Sequence, residues 1–302
     1  MMNKKYFLVC IMISVVIMIL GCNPAKTETI ISQQKEPSPK TVITNQKNDF
    51  KQYDSYPFAL AMVDVGQGLC ILVRSGEEYL VYDGGGRESS SYVVSFFKRN
   101  QIKRIKYMVA SHYDEDHIAG LVGLLRTTSV NTAIVPNYQA NTKIYSSFQS
   151  ALKKADSVVY AKAGNRYKVG EAIFDILYAT DNTEEKENNK STVIRLEYKY
   201  FSCIITGDAA AETETKLVDR REKLACDLYV VGHHGSSSSS TPGFVAAMKP
   251  KLAFISVGKD NKYYHPTKRV LRVLDNNNAT VYRTDMQGTV TLVHDGSKYT
   301  IH

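Results

Sequence analysis

The stretch Ser111-His112-Tyr113-Asp114-Glu115-Asp116-His117-Ile118-Ala119-Gly120 decides the fold. It follows a strand-like apolar run at 106–110 and opens a helical pattern at 118–125. Its two histidines and three acids can converge only where the backbone turns tightly, as it does between a strand and a helix. Imidazole nitrogens and carboxylate oxygens together are typical ligands of a divalent transition metal. The alternative is a polar helix start, in which Asp114 or Asp116 caps the helix.

A second acid follows another predicted strand. Asp208 comes after the apolar run 203–205, with Gly207 between them. A glycine at a strand end leaves room for a carboxylate to enter a site. We therefore predict that Asp208 points into the same crevice as the first cluster, the alternative being an N-cap for a helix over 210–225.

A pair of histidines follows a third predicted strand, at 227–231. His233 comes directly after Gly232 and is predicted to point from the strand end into the same crevice. His234 is either a second ligand or a partner that orients the first. The position directly after the glycine favours His233 as the ligand.

Short strand-like runs alternate with helical patterns from about residue 57 onward. The strands precede and separate the helices without strict alternation, so two sheets with helices packed outside them are expected. The predicted fold is an α/β protein with a four-layer αββα sandwich over residues 53–302. Three cysteines lie within or beside apolar runs and are predicted to be buried and free: Cys70, Cys203 and Cys226.

The first residues have the pattern of a targeting signal. Two lysines precede an apolar run at 6–20, which is short for a membrane-spanning helix. The run ends in Ile19-Leu20-Gly21-Cys22, which resembles the bacterial lipobox. Residues 1–21 are therefore predicted to be a lipoprotein signal peptide, with Cys22 lipidated and anchoring the chain to the outside of the cell membrane. A plain signal peptide and an uncleaved anchor are the alternatives.

Composition excludes a wholly disordered chain and a polytopic membrane protein. The 302 residues are 43% hydrophobic and 23% charged, and the only long apolar run stands at the start. Residues 22–52 are rich in Lys, Gln, Thr, Asn and Pro and are predicted to be a flexible linker. The net charge of +8, which falls to +6 without residues 1–21, mildly favours an anionic partner.

Several motifs resemble those of the metallo-β-lactamase superfamily. The segment 112–117 is similar to its His-x-His-x-Asp-His signature. Its His-x-Asp-x-Asp-His form resembles the extracellular hydrolase domain of the ComEC family of DNA-uptake (competence) proteins. Five further motifs match in order: Asp64-Val65-Gly66-Gln67-Gly68, Asp83-Gly84-Gly85-Gly86, Thr206-Gly207-Asp208-Ala209, Gly232-His233-His234-Gly235-Ser236 and Tyr264-His265-Pro266. The resemblance covers residues 58–302.

This resemblance implies a hydrolase with two divalent metal ions. The implied ligands are His112 and Asp114 for one ion, Asp116, His117 and His233 for the other, and Asp208 between the two. Asp83 would support the metal-binding loop. The implied catalytic residues are Asp116, Asp208 and His265. His265 would donate a proton or contact phosphate, unless it only caps the turn at Pro266. Ser236 and the serines after it would offer hydroxyls to phosphate, or form a polar loop.

The chain departs from the superfamily pattern at the middle histidine ligand. Residues 188–191 (Asn-Asn-Lys-Ser) stand in its place, so Asn189 and Ser191 are expected beside the site. Loss of one imidazole makes one site richer in oxygen, which either shifts the metal preference from Zn²⁺ toward Mn²⁺ or leaves that site weakly filled. The membrane channel of the ComEC family has no counterpart in the sequence, so only the hydrolase part of the resemblance applies.

The expected function is a metal-dependent phosphodiesterase or nuclease that acts by metal-activated hydroxide. DNA is the favoured substrate because of the resemblance. A basic cluster at 98–106 could follow a phosphate backbone or simply be a solvated helix face. The alternatives are a cell-surface esterase, such as one acting on phosphorylcholine, and a non-catalytic binding lipoprotein with a vestigial metal site.

Overall fold

Strands and helices alternate along the part of the chain that the computed structural model describes, which is residues 49–182, 184–220 and 222–302. The predicted signal peptide, Cys22 and most of the predicted linker lie outside these residues. The strands are β1 (Phe58–Met62), β2 (Ile71–Ser75), β3 (Glu78–Tyr82), β4 (Arg104–Val109), β5 (Ser129–Val135), β6 (Ser157–Tyr160), β7 (Arg166–Val169), β8 (Ala172–Tyr178), β9 (Val193–Tyr198), β10 (Phe201–Ile205), β11 (Leu228–Val230), β12 (Leu252–Ile255), β13 (Thr280–Arg283), β14 (Val290–His294) and β15 (Tyr299–Ile301).

The helices lie between these strands in the chain. They are α1 (Arg87–Arg99), α2 (Glu115–Thr127), α3 (Lys143–Leu152), α4 (Ala211–Asp219), α5 (Pro242–Met248), α6 (Lys268–Asn276) and α7 (Thr284–Gln287). Helices α1 to α6 each connect two neighbouring parallel strands, and α7 lies between β13 and β14, which belong to different sheets. Three short 3₁₀ turns lie at Phe50–Tyr53, Glu187–Lys190 and Gly232–Gly235. In the described residues, no helix is both long and apolar enough to span a bilayer.

The strands form two sheets. The first has the order β15-β14-β1-β2-β3-β4-β5-β6, and the second has the order β13-β12-β11-β10-β9-β8-β7. Strands β3 to β6 are parallel to one another, as are β10 to β13. Parallel strands end at the same edge of a sheet, and ligands of α/β proteins gather outside that edge.

The predicted four-layer αββα sandwich is confirmed. Side chains of β1 show the layering, because Phe58 and Leu60 pack between the two sheets while Ala59 and Ala61 pack under the first helices. A third cluster of buried residues lies between the second sheet and α4, α5 and α6. Both faces of β1 are therefore buried, which explains why it is apolar at every position.

The folded part begins earlier than predicted. The expected linker ran to residue 52, but Phe50 is 2% exposed and packs against the core beside Tyr53. Arg74 fixes this segment to the first sheet, because its Nη2 donates to the carbonyl oxygens of Tyr53 and Tyr56, each at 2.7 Å. Residues 49–52 are thus part of the domain.

Two glycines let the loop after β3 lie directly on α2. A Cβ atom on Gly120 would stand 1.8 Å from the carbonyl oxygen of Gly84, and one on Gly84 would stand 2.5 Å from the backbone nitrogen of Leu121. Gly84 has no positive φ, so glycine is required here by the close approach of the loop to α2 rather than by the backbone geometry of a turn. This contact sets the distance between the loop and the first turn of α2.

The predicted state of the cysteines is also confirmed, since Cys70, Cys203 and Cys226 are all buried and free. Burial raises the pKa of each thiol above its ordinary value. These three side chains therefore act as small core residues rather than as nucleophiles.

Candidate metal centre

The segment 112–117 turns between β4 and α2 and brings its polar side chains together. Asp114 has the backbone geometry of an N-cap residue, with φ −68° and ψ 151°, but its side chain accepts no capping hydrogen bond. Its carboxylate lies 3.4 Å from His112 Nε2 instead. Asp116 and His117 stand in the first turn of α2. The alternative of a simple helix cap is therefore wrong for Asp114.

A buried carboxylate orients one histidine of this segment. Asp83 follows β3 and has no exposed surface. Its Oδ2 accepts from His117 Nδ1 and from Ser111 Oγ, each at 2.7 Å, and its Oδ1 accepts from the backbone nitrogen of Ser111 at 2.7 Å. Because a carboxylate only accepts, the neutral ring of His117 carries its proton on Nδ1 and a lone pair on Nε2. This is the supporting role that the resemblance implied for Asp83.

Two more histidines have the same tautomer. The hydroxyl of Ser111 donates to Asp83, so it accepts from His112 Nδ1, which is 2.9 Å away. The carbonyl oxygen of Ser256 accepts from His234 Nδ1 at 2.9 Å. The Nε2 atoms of His112, His117 and His234 are all buried, and none has a hydrogen-bond partner within the described part of the chain. In the neutral form of each ring, the lone pair on Nε2 points inward.

These Nε2 atoms converge on carboxylate oxygens. His117 Nε2 lies 3.2 Å from Asp208 Oδ1, and His234 Nε2 lies 3.3 Å from Asp116 Oδ2. Ligand atoms form two groups, and within each group all of them lie within 4.8 Å of one another. One group is His112, His117 and Asp208, and the other is Asp116, His117 and His234. Asp208 Oδ1 is itself buried without a hydrogen-bond partner among the described residues. Buried nitrogen and oxygen atoms arranged in this way fit a divalent cation.

The structure corrects the preference for His233 over His234. Both residues have a left-handed backbone in the turn Gly232–Gly235, with φ of 51° and 54°. This turn directs His234 inward, where its side chain is 4% exposed, and leaves His233 26% exposed at the rim. His233 Nε2 contacts the second oxygen of Asp208 at 3.5 Å. His234 therefore completes the group with Asp116, while His233 borders it.

The clustered groups shift one another's pKa values. Burial alone would lower the pKa of His117, but the carboxylates of Asp208, Asp83 and Asp116 outweigh burial and raise it well above its usual range. Burial opposes ionisation of Asp208 too, yet His117 and His234 hold its pKa well below the ordinary value. The cluster thus attracts positive charge strongly, and a metal ion would compete with protons for it.

The segment before β9 lies at the site, as predicted, through Ser191. Its hydroxyl accepts from the backbone nitrogen of Asp208 at 3.1 Å and lies 3.5 Å from His112 Nδ1. Ser191 therefore orients one carboxylate and one imidazole of the cluster.

Asn189, in contrast, does not face the site. Its Oδ1 accepts from the backbone nitrogen of Ala210 at 3.2 Å, and its side chain also contacts Glu212, so it joins the turn to the start of α4. Asn188 takes the place predicted for Asn189, because its Nδ2 lies 3.1 Å from His233 Nδ1. The dipeptide Asn-Asn could not distinguish the two, since the turn geometry alone decides which amide faces the histidine.

Ser236 also acts through the turn rather than on the cluster. Its backbone nitrogen donates to the carbonyl oxygen of His233 at 2.8 Å, and its hydroxyl lies 3.0 Å from that of Ser238. Ser238, a residue that the sequence did not single out, contacts His233 Nδ1 at 3.0 Å. In a run of five serines, no signal marked the one that reaches the rim.

His265 stands at the rim on the loop between β12 and α6. Its ring centroid is 5.8 Å from that of His233, and its Nδ1 is buried without a hydrogen-bond partner among the described residues. Burial, together with the neighbouring His233, lowers the pKa of His265 to about 4. The ring is therefore neutral near pH 7, which suits a contact to substrate better than donation of a proton from an imidazolium.

Histidines and carboxylates at the ends of β3, β4, β10 and β11 of an αββα sandwich define a class of metal-binding enzymes. The model of the metallo-beta-lactamase superfamily matches residues 63–259, and the chain belongs to this superfamily. The resemblance of the motifs to the superfamily is thereby confirmed.

The curated relatives that the chain matches include a ComE operon protein and a competence protein. The chain is 29% identical over 248 residues to ComE operon protein 3 of Bacillus subtilis, covering 76% of this chain and 32% of that protein. It is 27% identical over 237 residues to competence protein ComA of Neisseria gonorrhoeae, covering 77% of this chain and 32% of that protein. The match thus spans about a third of the length of these relatives.

Solved structures share the fold. The YhfI metallo-beta-lactamase fold protein of Bacillus subtilis has a TM-score of 0.53 at 12% identity, covering 81% of this chain and 100% of that chain. CmlA of Streptomyces venezuelae, a diiron beta-hydroxylase, has a TM-score of 0.54 at 15% identity, covering 79% of this chain and 54% of that chain.

Proposed function

We propose that this chain is a metal-dependent phosphodiesterase that cleaves DNA outside the cell membrane. The observation that carries the proposal is the set of three histidines whose Nδ1 atoms are engaged and whose Nε2 atoms point, without partners in the described residues, toward the carboxylates of the cluster. A structural cluster would satisfy these atoms with hydrogen bonds, whereas a metal site leaves them free for the ion. Bound divalent ions would supply Lewis-acid charge to a phosphoryl group and an attacking water.

The protein's own residues would bind and orient the diester. A cleft of about 430 Å³ opens beside the cluster, with His233, Asn188 and Ser238 among its lining residues. The lining carries one basic residue, Lys186, which could contact a phosphate, and two acids, Glu187 and Glu212. His265, on the other side of His233, would offer a neutral imidazole to the substrate.

Similarity to competence proteins favours DNA over small esters as the substrate. The basic cluster at 98–106 lends little support, because it lies at the amino end of β4, opposite the metal cluster. Three of its members are paired with acids: Arg99 with Asp49 at 3.5 Å, Arg104 with Asp156 at 3.6 Å and Lys106 with Glu78 at 2.7 Å. The basic cluster therefore fits a solvated surface better than a binding site for the DNA backbone.

One experiment tests the metal and the substrate together. Protein stripped with a chelator is reloaded with Mn²⁺ or Zn²⁺, its metal content is measured, and hydrolysis of DNA, bis-p-nitrophenyl phosphate, a phosphorylcholine ester and a β-lactam is compared. The matched variants are Asp208→Asn and Asp156→Asn, the latter with a side chain 63% exposed far from the cluster. We expect metal-dependent cleavage of DNA that only Asp208→Asn abolishes. Turnover of the small esters alone would refute DNA as the substrate, and absence of metal binding would refute the enzyme.

We also propose that Cys22 is lipidated and holds the domain on the outer face of the cell membrane. Gly21 directly before Cys22, after the apolar run, supports this proposal. The variant Cys22→Ser is expected to move the protein from the membrane fraction to the soluble fraction. An unchanged distribution would contradict lipid anchoring, while leaving the metal-centre proposal untouched.

A further inference from the structure

A row of aromatic rings leads from the metal cluster to the surface. The centroids of His234 and His233 are 6.2 Å apart, those of His233 and His265 are 5.8 Å apart, and those of His265 and Tyr263 are 5.7 Å apart. The last pair is stacked, with an angle of 24° between the ring planes. Tyr263 is 53% exposed and its neighbour Tyr264 is 87% exposed. Tyr263 thus ends the row at the surface, and Tyr264 follows it in the chain with a side chain that the core does not use.

The loop that carries them, residues 259–265, is held in shape by one side chain. Asn261 Nδ2 donates to the carbonyl oxygens of Gly258 and His265, at 2.9 and 2.8 Å. Asn261 Oδ1 accepts from the backbone nitrogens of Tyr263 and His265, at 3.2 and 3.0 Å. The rings are therefore presented by a preorganised loop, so that binding a ligand against them costs little conformational entropy.

Positive charge accompanies the rings. Lys262 Nζ lies 5.2 Å from the ring centroid of Tyr263, within range of a cation–π contact. Lys259 and Lys268 are also exposed on either side of the tyrosines, against one exposed acid, Asp260. Exposed aromatic faces beside lysines are the combination with which proteins hold unpaired bases and the phosphates that join them.

We propose that Tyr263 and Tyr264 form a stacking surface for bases of single-stranded DNA, separated from the metal cluster by the rings of His265 and His233. The proposal rests on the proposed function and deepens it, because it makes single-stranded rather than duplex DNA the substrate. The bases of a duplex stack on one another, so their faces are not free for tyrosine. With bases stacked on the tyrosines, the neighbouring sugar-phosphate backbone would lie along His265 toward the metal cluster.

The test uses the full-length protein, free of metal, and a fluorescent oligothymidylate whose binding is followed by anisotropy. The double variant Tyr263→Leu/Tyr264→Leu removes both aromatic rings and keeps apolar bulk. The matched control is Tyr160→Leu/Tyr200→Leu, whose tyrosines are 64% and 91% exposed elsewhere. We expect the Kd of the double variant to rise by at least about tenfold, which corresponds to about 1.4 kcal/mol, and that of the control to stay unchanged.

Two comparisons make the outcome specific. An oligomer of abasic sugars, which keeps the phosphates, should bind both the wild type and the double variant equally weakly, and a blunt duplex should respond little to the double variant. Unchanged binding of oligothymidylate by the double variant, or no binding by the wild type, would overturn the proposal. The proposal would also be overturned if the double variant lost only its binding to phosphatidylglycerol vesicles, because the tyrosines would then be a membrane contact. The proposed function is tested separately, by DNA cleavage with the metal-loaded wild type. Base-dependent binding without cleavage would refute the nuclease but not the stacking surface.

Discussion

Replacement of Asp83 by asparagine is expected to weaken metal binding although Asp83 is not itself a ligand. The amide keeps the size of the carboxylate, and its oxygen can still accept from the backbone nitrogen of Ser111. Its NH₂ group, however, would face His117 Nδ1, which now donates to Asp83 Oδ2 at 2.7 Å. Two donors cannot face each other, so the neutral ring would move its proton to Nε2 and lose the lone pair that points at the cluster.

The size of the effect follows from these contacts. Loss of a partner that orients a metal-ligating histidine typically weakens affinity 10- to 100-fold, or about 1.4–2.7 kcal/mol. The metal-free protein also loses hydrogen bonds to a buried charge, which should cost about 2 kcal/mol. For a domain of this size, that loss corresponds to a fall in Tm of roughly 4–8 °C.

The assay separates the two effects. Competition with a fluorescent chelator gives the metal affinity of folded protein at 25 °C, and thermal unfolding without metal gives the change in Tm. Asp156→Asn, on the surface, serves as the control for removal of a charge. The reasoning is refuted if Asp83→Asn binds metal with wild-type affinity, even if its Tm falls, because the carboxylate would then be structural only.

Three further predictions concern the fold. Gly120→Ala should unfold the protein or lower its Tm strongly, since the new Cβ would stand 1.8 Å from a carbonyl oxygen of the loop after β3. The control is Gly243→Ala in α5, where a new Cβ would meet no atom within 4 Å, so the Tm should stay unchanged or rise. Phe50→Ala should cost about 3–5 kcal/mol in urea unfolding, and an unchanged stability would show that residues 49–52 are not part of the domain. The Glu78 carboxylate is partly desolvated, but its hydrogen bonds from a backbone amide and from Lys106 lower its pKa. Glu78→Gln should therefore destabilise the protein by about 0.5–1 kcal/mol at pH 7. The difference should close as the pH falls through the pKa of Glu78, and one that persists there would contradict its electrostatic origin.

The strand ends that carry the site and the types of ligand there could be predicted from the sequence. Motifs at 112–117, 208 and 233–234 all follow apolar strands, and the ends of parallel strands meet at one edge, so their convergence could be expected from the order of elements alone. The positions of Asp83 and Ser191 beside the ligands were implied by the resemblance to the superfamily. Asp83 directly follows β3, and Ser191 lies two residues before β9.

Turn geometry is what the sequence could not supply. His233 and His234 have nearly equal left-handed φ values, and the ring of His234 is held inward by the contact of its Nδ1 with the carbonyl oxygen of Ser256, in a different part of the chain. Asn188 and Asn189 exchange roles for a similar reason, since the start of α4 captures the second amide. A choice between adjacent identical residues is made by tertiary contacts, not by local pattern.

Charge in the cluster bears on how many ions it would hold. Four carboxylates lie on or beside the three inward-facing histidines: Asp83, Asp114, Asp116 and Asp208. With neutral rings, one divalent ion would leave a net charge of about −2 on these residues, of which Asp83 and Asp208 are buried while Asp114 and Asp116 are partly exposed. Without metal, the carboxylates raise the pKa values of His117 and His234, which favours protons where cations would bind. Two ions would balance the four acids and displace those protons, which supports the prediction of two divalent ions.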